Sequence, residues 1–208
     1  MFLCISSCTK VGRNITVKGK VVNPLTNNTY EGIKVQLVRT TNFQLPGGFK
    51  EFKHTHTDAN GEFELNASRL GDVWLQAQSG SDLHVLGWHQ EGEYISSNFR
   101  TRAQKRKTME ADFHVVPYSF VKLIINNLNC QGPDDLFVLF RENQLGTIDD
   151  TFGWEHEGCV YWETNGYSEI LMGEVYYRWE VTRSGNTEVF YDTVFYPPGE
   201  NITYEINY

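Results

Sequence analysis

Residues 15–22 read Ile-Thr-Val-Lys-Gly-Lys-Val-Val, and this stretch decides the fold. Its apolar or small residues fall on alternate positions, namely Ile15, Val17, Gly19 and Val21. Because successive side chains of a β-strand point to opposite faces, the pattern predicts a strand with one buried face.

The same two-residue period returns along the rest of the chain. In the next such segment, Ile33, Val35 and Leu37 are expected to point inward. Residues 58–61, Asp-Ala-Asn-Gly, form a tight-turn sequence, because Asn and Gly adopt the positive φ angles that a hairpin needs. No segment keeps a helical period of about 3.6 residues. The sequence therefore predicts an all-β protein that folds as a sandwich or a barrel.

A second cycle of strands begins near residue 121. Residues 121–129, Val-Lys-Leu-Ile-Ile-Asn-Asn-Leu-Asn, resemble residues 17–25, Val-Lys-Gly-Lys-Val-Val-Asn-Pro-Leu. A polar turn and an apolar strand follow each of them. We interpret this as two related β-sandwiches in tandem, residues 14–117 and 118–208, and we expect Pro117 to end the last strand of the first.

Two motifs of the first half carry a family resemblance. Residues 17–37 hold a Gly-x-Val strand and then a Gly-Ile-x-Val-x-Leu strand, and residues 57–63 read Thr-Asp-Ala-Asn-Gly-Glu-Phe. Together they resemble the carboxypeptidase regulatory-like domain, a transthyretin-like β-sandwich. The resemblance covers residues 14–117 at most and implies a non-catalytic accessory, stalk or binding module. For residues 118–208, an Ig-like or transthyretin-like sandwich is expected from the strand pattern alone. The matching residues are Gly19, Val21, Gly32, Ile33, Val35, Leu37, Thr57, Asp58, Gly61 and Phe63.

The charge is divided unevenly between the two halves. Residues 1–117 contain 14 Lys and Arg against 11 Asp and Glu, whereas residues 118–208 contain 4 against 15, a net charge of −11. An acidic half of this kind repels nucleic acid and anionic lipid, so no nucleic-acid partner is expected. The basic run at residues 100–107 lacks interleaved aromatic residues and is interpreted as a solvated loop.

The N-terminal sequence predicts where the protein is located in the cell. Residues 1–10 read Met-Phe-Leu-Cys-Ile-Ser-Ser-Cys-Thr-Lys, which resembles the lipobox of bacterial lipoproteins with Cys8 as the lipid-bearing residue. Residues 1–13 are then a signal remnant and tether, and the protein is held in the cell envelope, as an outer-membrane lipoprotein, by a lipid anchor only. A secreted protein, or an ordinary terminus with two incidental cysteines, is the alternative.

The remaining cysteines and the histidines offer candidate ligands. Cys130 and Cys159 predict either a disulfide bridge or two buried free thiols. His54 and His56 lie two residues apart on one strand face, where they would bind a metal only if His84 or His89 supplied a third ligand. Because no third ligand is identified, we interpret them as part of a solvent-facing polar strand, and we expect no metal and no cofactor.

The second half contains the candidate binding residues. Trp154 and Trp162 are predicted to stack on a sugar if they are exposed, or to join the sandwich core if they are not. Between residues 149 and 157, an acidic loop holds Asp149, Asp150, Glu155 and Glu157, but its spacing gives no catalytic geometry. The sequence thus indicates a non-enzymatic binding or scaffold module. Its expected partner is a protein or a glycan.

Overall fold

The computed structural model of the protein describes residues 14–41, 48–69, 71–146 and 148–208, with only the backbone for residues 148–153. It divides into two compact units, Met1–Val116 and Pro117–Tyr208. The described residues contain strands and turns but no helix, so the prediction of an all-β fold is confirmed. Within the same residues there is no helix long and apolar enough to cross a membrane.

The first unit is a sandwich of two sheets. One sheet has the order β4-β1-β10-β6-β7, with β9 also beside β1, and the other has the order β3-β2-β5-β8. Both sheets contribute side chains to one apolar core. The strands are β1 (Asn14–Val22), β2 (Lys34–Thr40), β3 (Phe49–His56), β4 (Glu62–Ser68), β5 (Trp74–Gln78), β6 (Leu83–Gln90), β7 (Glu93–Ser96), β8 (Arg100–Arg102), β9 (Thr108–Glu110) and β10 (Asp112–Asn126).

The alternating residues of the sequence form this core as expected. Ile15, Val17 and Val21 of β1 are at most 1% exposed, and Val35 and Leu37 of β2 are fully buried. Each fully buried aliphatic side chain contributes about 1.5–3 kcal/mol relative to an exposed one, so the core is the main stabilising feature of the unit.

The Thr-Asp-Ala-Asn-Gly-Glu-Phe motif fixes the turn between β3 and β4. The buried Thr57 hydroxyl accepts a hydrogen bond from the Ile33 amide (2.9 Å) and donates one to the Tyr30 carbonyl (2.6 Å). The Asp58 carboxylate accepts hydrogen bonds from the amides of Asn60 and Glu62, both at 2.9 Å. Gly61 has a φ of 72°, which glycine adopts without steric cost. These hydrogen bonds and the glycine conformation therefore fix the turn and specify the fold locally.

The second unit is also a two-sheet sandwich. Residues 118–126 of β10 pair with β17 in parallel and with β13 and β14 in antiparallel fashion, and the other sheet has the order β12-β11-β15-β16. The two sheets share the core of this unit. Its strands after β10 are β11 (Leu136–Asn143), β12 (Ile148–Glu157), β13 (Tyr161–Glu163), β14 (Ser168–Leu171), β15 (Gly173–Arg183), β16 (Asn186–Tyr196) and β17 (Asn201–Asn207).

The two units share one pairing scheme. The order β3-β2-β5-β8 in the first unit matches β12-β11-β15-β16 in the second, and every neighbouring pair in both sheets is antiparallel. The other sheets also correspond. In the first unit, β1 pairs with β4 in antiparallel fashion and with β9 in parallel. In the second unit, residues 118–126 of β10 pair with β13 and β14 in antiparallel fashion and with β17 in parallel. Apart from the β6–β7 hairpin, which lies between β5 and β8 in the first unit, the two units therefore follow one topology, with β8 and β16 at equivalent sheet edges.

One expectation about the strands is wrong. Pro117 does not end a strand, because β10 runs without a break from Asp112 to Asn126. Proline removes one amide donor from a ladder but leaves its carbonyl available, and the Pro117 carbonyl accepts a hydrogen bond from the Met172 amide at 3.0 Å. The strand therefore continues through the proline that was expected to end it.

Candidate functional site

The predicted lipidation residue, Cys8, lies outside the described residues, as does the whole tether of residues 1–13. The acidic segment is not the predicted loop, because residues 148–157 form the strand β12. Its Asp149 and Asp150 have no described side chains, whereas Glu155 and Glu157 are exposed. The structure therefore gives no catalytic geometry for this group of carboxylates.

Trp154 and Trp162 do come together in the second unit. Trp154 is on β12 and Trp162 on β13, and their ring centroids are 5.4 Å apart with an angle of 74° between the planes. The Arg141 guanidinium lies 4.6 Å from the centre of the Trp154 ring, and the His156 ring lies 5.2 Å from that of Trp162. Both indoles are partly buried against the core. They form an edge-to-face pair and not the flat, open platform that sugar stacking requires.

Cys130 and Cys159 are joined by a disulfide, and their Cα atoms are 5.2 Å apart. Beside this bridge, the buried Asp135 carboxylate accepts hydrogen bonds from the Gln131 amide (2.9 Å) and the Asn127 side chain (3.1 Å). These bonds, and above all the one from Gln131, hold the pKa of Asp135 below its usual value. The arrangement stabilises the turn after β10 and is structural.

The histidines form two separate pairs in the first unit. The rings of His54 and His56 are 5.7 Å apart on β3, and the His54 Nδ1 lies 2.6 Å from the Glu51 carboxylate. His89 of β6 stacks on His114 of β10 at 3.8 Å. In the parts of the chain that are described, no three His, Cys, Asp or Glu side chains lie close enough together to hold a metal ion. The three-histidine arrangement considered from the sequence does not form.

The outer surface of the first unit contains an open cleft of about 660 Å³ beside β1, β4 and β9. Its lining is acidic, with six carboxylates against two lysines. Both lysines form ion pairs, because Lys18 lies 3.0 Å from Glu110 and Lys20 lies 3.0 Å from Glu62. Exposed ion pairs of this kind contribute at most about 1 kcal/mol each. The cleft is a polar sheet surface and lacks the apolar lining of most small-molecule sites.

The most distinctive surface of the second unit is the outer face of β15 and β16. Tyr191 is 73% exposed, Phe195 56%, Val189 43% and Tyr176 42%, and we call these four residues the aromatic face. Tyr176 lies opposite Thr193, which separates Tyr191 from Phe195 on the same side of β16. Diagonal neighbours across two strands are about 7–8 Å apart, within reach of aromatic rings. The three rings therefore lie on one side of the same two strands, with Tyr176 diagonal to both Tyr191 and Phe195.

Polar groups are interleaved with this aromatic face. Glu174 lies opposite Phe195, Arg178 opposite Tyr191, and Glu180 opposite Val189. The Tyr176 hydroxyl donates a hydrogen bond to the Glu174 carboxylate at 3.0 Å, and Arg178 forms an ion pair with Glu180. The face thus combines apolar rings with fixed charges and hydrogen-bonding groups, as binding surfaces commonly do.

Sequence reasoning missed this face. Residues 187–196 read Thr-Glu-Val-Phe-Tyr-Asp-Thr-Val-Phe-Tyr, in which apolar residues occupy both faces of the strand. A strand with two apolar faces is usually a central, buried one. Here the strand lies at a sheet edge and is largely exposed. The loss of alternation between apolar and polar residues was the one feature of the sequence that could have indicated an exposed apolar face.

No protein-family model matches this chain, and no curated protein matches it either. Membership of the carboxypeptidase regulatory-like family therefore stays a prediction, although the β-sandwich that it implies is present in the first unit.

Several solved structures show a weak similarity. The chain is 12% identical to GBS52, the minor pilin of Streptococcus agalactiae, with a TM-score of 0.35 over 94% of each chain. It is 15% identical to a streptococcal ancillary pilin, with a TM-score of 0.35 over 93% of this chain and 62% of that one. A DUF3823 family protein from Bacteroides uniformis is 12% identical, with a TM-score of 0.33 over 88% and 100% of the two chains. Similarity at this level does not establish a shared function.

Proposed function

We propose that this chain is a non-enzymatic module of the bacterial cell envelope, anchored through a lipid on Cys8, that acts by binding a partner through the aromatic face. The observation that carries the proposal is the exposure of Tyr176, Val189, Tyr191 and Phe195 on one side of a regular sheet. Tyr and Phe are enriched at protein interfaces relative to the rest of the protein surface. A sheet also holds its side chains more rigidly than a loop does.

The anchor can be tested separately from the binding surface. The chain would be expressed in a bacterium with a functional lipoprotein leader fused upstream and labelled with palmitate. We expect label in the protein and its recovery with membranes, both lost in the Cys8→Ala variant and kept in Cys4→Ala. If the wild-type protein takes up no label, the anchoring part of the proposal is wrong.

A carbohydrate is the second candidate ligand, and the composition of the aromatic face favours it. Aromatic rings offer flat apolar surfaces, while Glu174, Arg178 and Glu180 offer the hydrogen-bonding groups that a polyhydroxylated ligand needs. The aromatic face fits this role better than Trp154 and Trp162 do, because those indoles are partly buried at a steep mutual angle.

A glycan array followed by calorimetry with the bound polysaccharide tests this second candidate. Binding should be lost in the Tyr176→Ser/Phe195→Ser variant. It should persist in Tyr161→Ser, which removes a tyrosine that is equally exposed but lies on β13 of the other sheet. An array at background for the wild-type protein removes the carbohydrate role. Loss of binding only in Trp162→Ala would move the site to the tryptophan pair.

A further inference from the structure

β16 is a long sheet edge with one side left unpaired in the described part of the chain. All eleven residues from Asn186 to Tyr196 are in register with β15, without a bulge. The sheet order ends at β16, and no other described strand pairs with it. Backbone amides and carbonyls along one side of this strand are therefore open to a further strand.

The β15–β16 turn shows which residues direct their backbone outward. Arg183 pairs with Asn186 across a two-residue turn in which Ser184 and Gly185 have φ angles of 49° and 77°, as in a type I′ hairpin. In such a hairpin, the residues flanking the turn form a hydrogen-bonded pair, and alternate residues then bond to the partner strand. Residues of β16 with odd numbers consequently point their amides and carbonyls to the free edge. The Thr193 amide is consistent with this direction, because it donates a hydrogen bond to the Asp192 carboxylate at 2.8 Å.

The equivalent edge of the first unit is built differently. There β8 has only three residues, Arg100–Arg102, and two of them are arginines. Short, charged edge strands are a common protection against unwanted pairing. β16 has eleven residues and contains no Lys, Arg or Pro. The same topology thus carries a protected edge in one unit and an unprotected edge in the other.

The sequence of β16 is suited to pairing with itself. When two copies of β16 pair in antiparallel fashion, the residues that exchange hydrogen bonds must direct their amides and carbonyls to the free edge. These are the odd-numbered residues, so odd-numbered residues of one copy lie opposite odd-numbered residues of the other. Full overlap of residues 186–196 then centres the pair on Tyr191. Glu188 faces Val194 of the second copy and Asp192 faces Phe190, so no carboxylates are directly opposed. If one strand is shifted by two residues along the other, carboxylates come to lie opposite each other. In one direction Glu188 of one copy faces Asp192 of the second, and in the other direction Asp192 faces Asp192. Like charges in such positions destabilise the pair.

We propose that β16 is a homodimerisation edge, at which two copies of the chain join their β12-β11-β15-β16 sheets through antiparallel β16 strands centred on Tyr191. Five opposed pairs of odd residues then provide up to about ten backbone hydrogen bonds, once Asp192 releases the Thr193 amide. Opposed side chains in an antiparallel pair lie on the same face of the sheet. The two aromatic faces therefore merge into one surface with Tyr191 of each copy at its centre. This inference is independent of the proposed binding function.

Sedimentation equilibrium of the 208-residue chain over a concentration series tests the dimer. Cys4 and Cys8 are replaced by Ser in all samples, so that no terminal disulfide can link two copies. We expect a monomer–dimer equilibrium for this protein. Tyr191→Lys and Tyr191→Glu, taken singly, place like charges opposite each other across the two-fold axis, and each should weaken the dimer at least tenfold. An equimolar mixture of the two variants should recover it, because Lys then opposes Glu.

Tyr176→Lys is the matched control, since it places the same charge on the same face but on β15, away from the edge. It should leave the dimer unchanged, and far-ultraviolet circular dichroism should show that all variants keep the strand signal. A monomer at every concentration overturns the proposal. So does a dimer that survives both single charges at Tyr191, or assembly beyond the dimer, since one two-fold edge closes at two copies.

Discussion

At the scale of single residues, Gly19 shows how closely the strands of the first unit approach. It lies on β1 at the break between β9 and β10, and a Cβ atom there would overlap the backbone carbonyl oxygen of Ala111. We therefore expect Gly19→Ala to destabilise the protein by about 1–3 kcal/mol, the usual cost of overpacking a core. Urea denaturation followed by circular dichroism measures the change. Lys18→Ala, which removes only an exposed ion pair on the same strand, should shift the midpoint little, and an equal loss in both variants would contradict the argument.

A second prediction at this scale concerns the pH dependence of stability, which we expect the stacked pair of His89 and His114 to influence. Burial, helped by the neighbouring His89, lowers the pKa of His114 to about 4, although Asp112 acts in the opposite direction. The unfolded chain has a histidine pKa near 6.5 and binds the proton first as the pH falls. Stability is therefore lost between about pH 6.5 and pH 4. Thermal unfolding should show a smaller decrease over this window in His114→Gln. If the variant and the wild type lose stability in parallel, other groups are responsible.

At the scale of secondary-structure elements, the Cys130–Cys159 disulfide joins the turn after β10 to the segment between β12 and β13. It closes a loop with a sequence separation of 29 residues. By loop-closure entropy, such a bridge stabilises a fold by about 3–4 kcal/mol. We expect Cys130→Ser/Cys159→Ser to lower the urea midpoint, and a reducing agent to do the same to the wild type. Cys4→Ser/Cys8→Ser is the control, and its midpoint should match that of the wild type under oxidising conditions.

The elements also show how far sequence could lead. The strands β1, β2 and β5 and the Asp58–Gly61 turn follow from alternation and turn chemistry, because one buried face imposes a period of two. The continuity of β10 through Pro117 could not be predicted in this way. It depends on whether a neighbouring strand needs a hydrogen bond from the amide that proline lacks, and that is decided by the sheet order. The aromatic face was missed for a related reason. Tyr191 and Phe195 look like core residues until the sheet order places β16 at an edge.

At the scale of the whole molecule, one topology occurs twice with different surfaces. The first unit has two arginines in its three-residue β8 edge and ion pairs over its cleft, whereas the second has a long edge without Lys or Arg and an aromatic face. The halves also differ in net charge, with −11 in residues 118–208. Two copies that meet through the second unit must therefore approach against electrostatic repulsion, while their backbone hydrogen bonds and aromatic side chains hold them together.

This balance predicts an unusual salt dependence. Screening extends over only about 10 Å at 0.1 M salt and becomes shorter as salt is added, so repulsion between two acidic units should weaken and the β16 dimer should tighten. In the proposed register, Glu188 is diagonal to Asp192 of the second copy. Glu188→Gln should therefore strengthen the dimer at low salt and show a smaller further gain at high salt, as sedimentation equilibrium at two ionic strengths would measure. If added salt dissociates the dimer instead, ion pairs between the copies hold it together, and the strand-to-strand pairing is wrong.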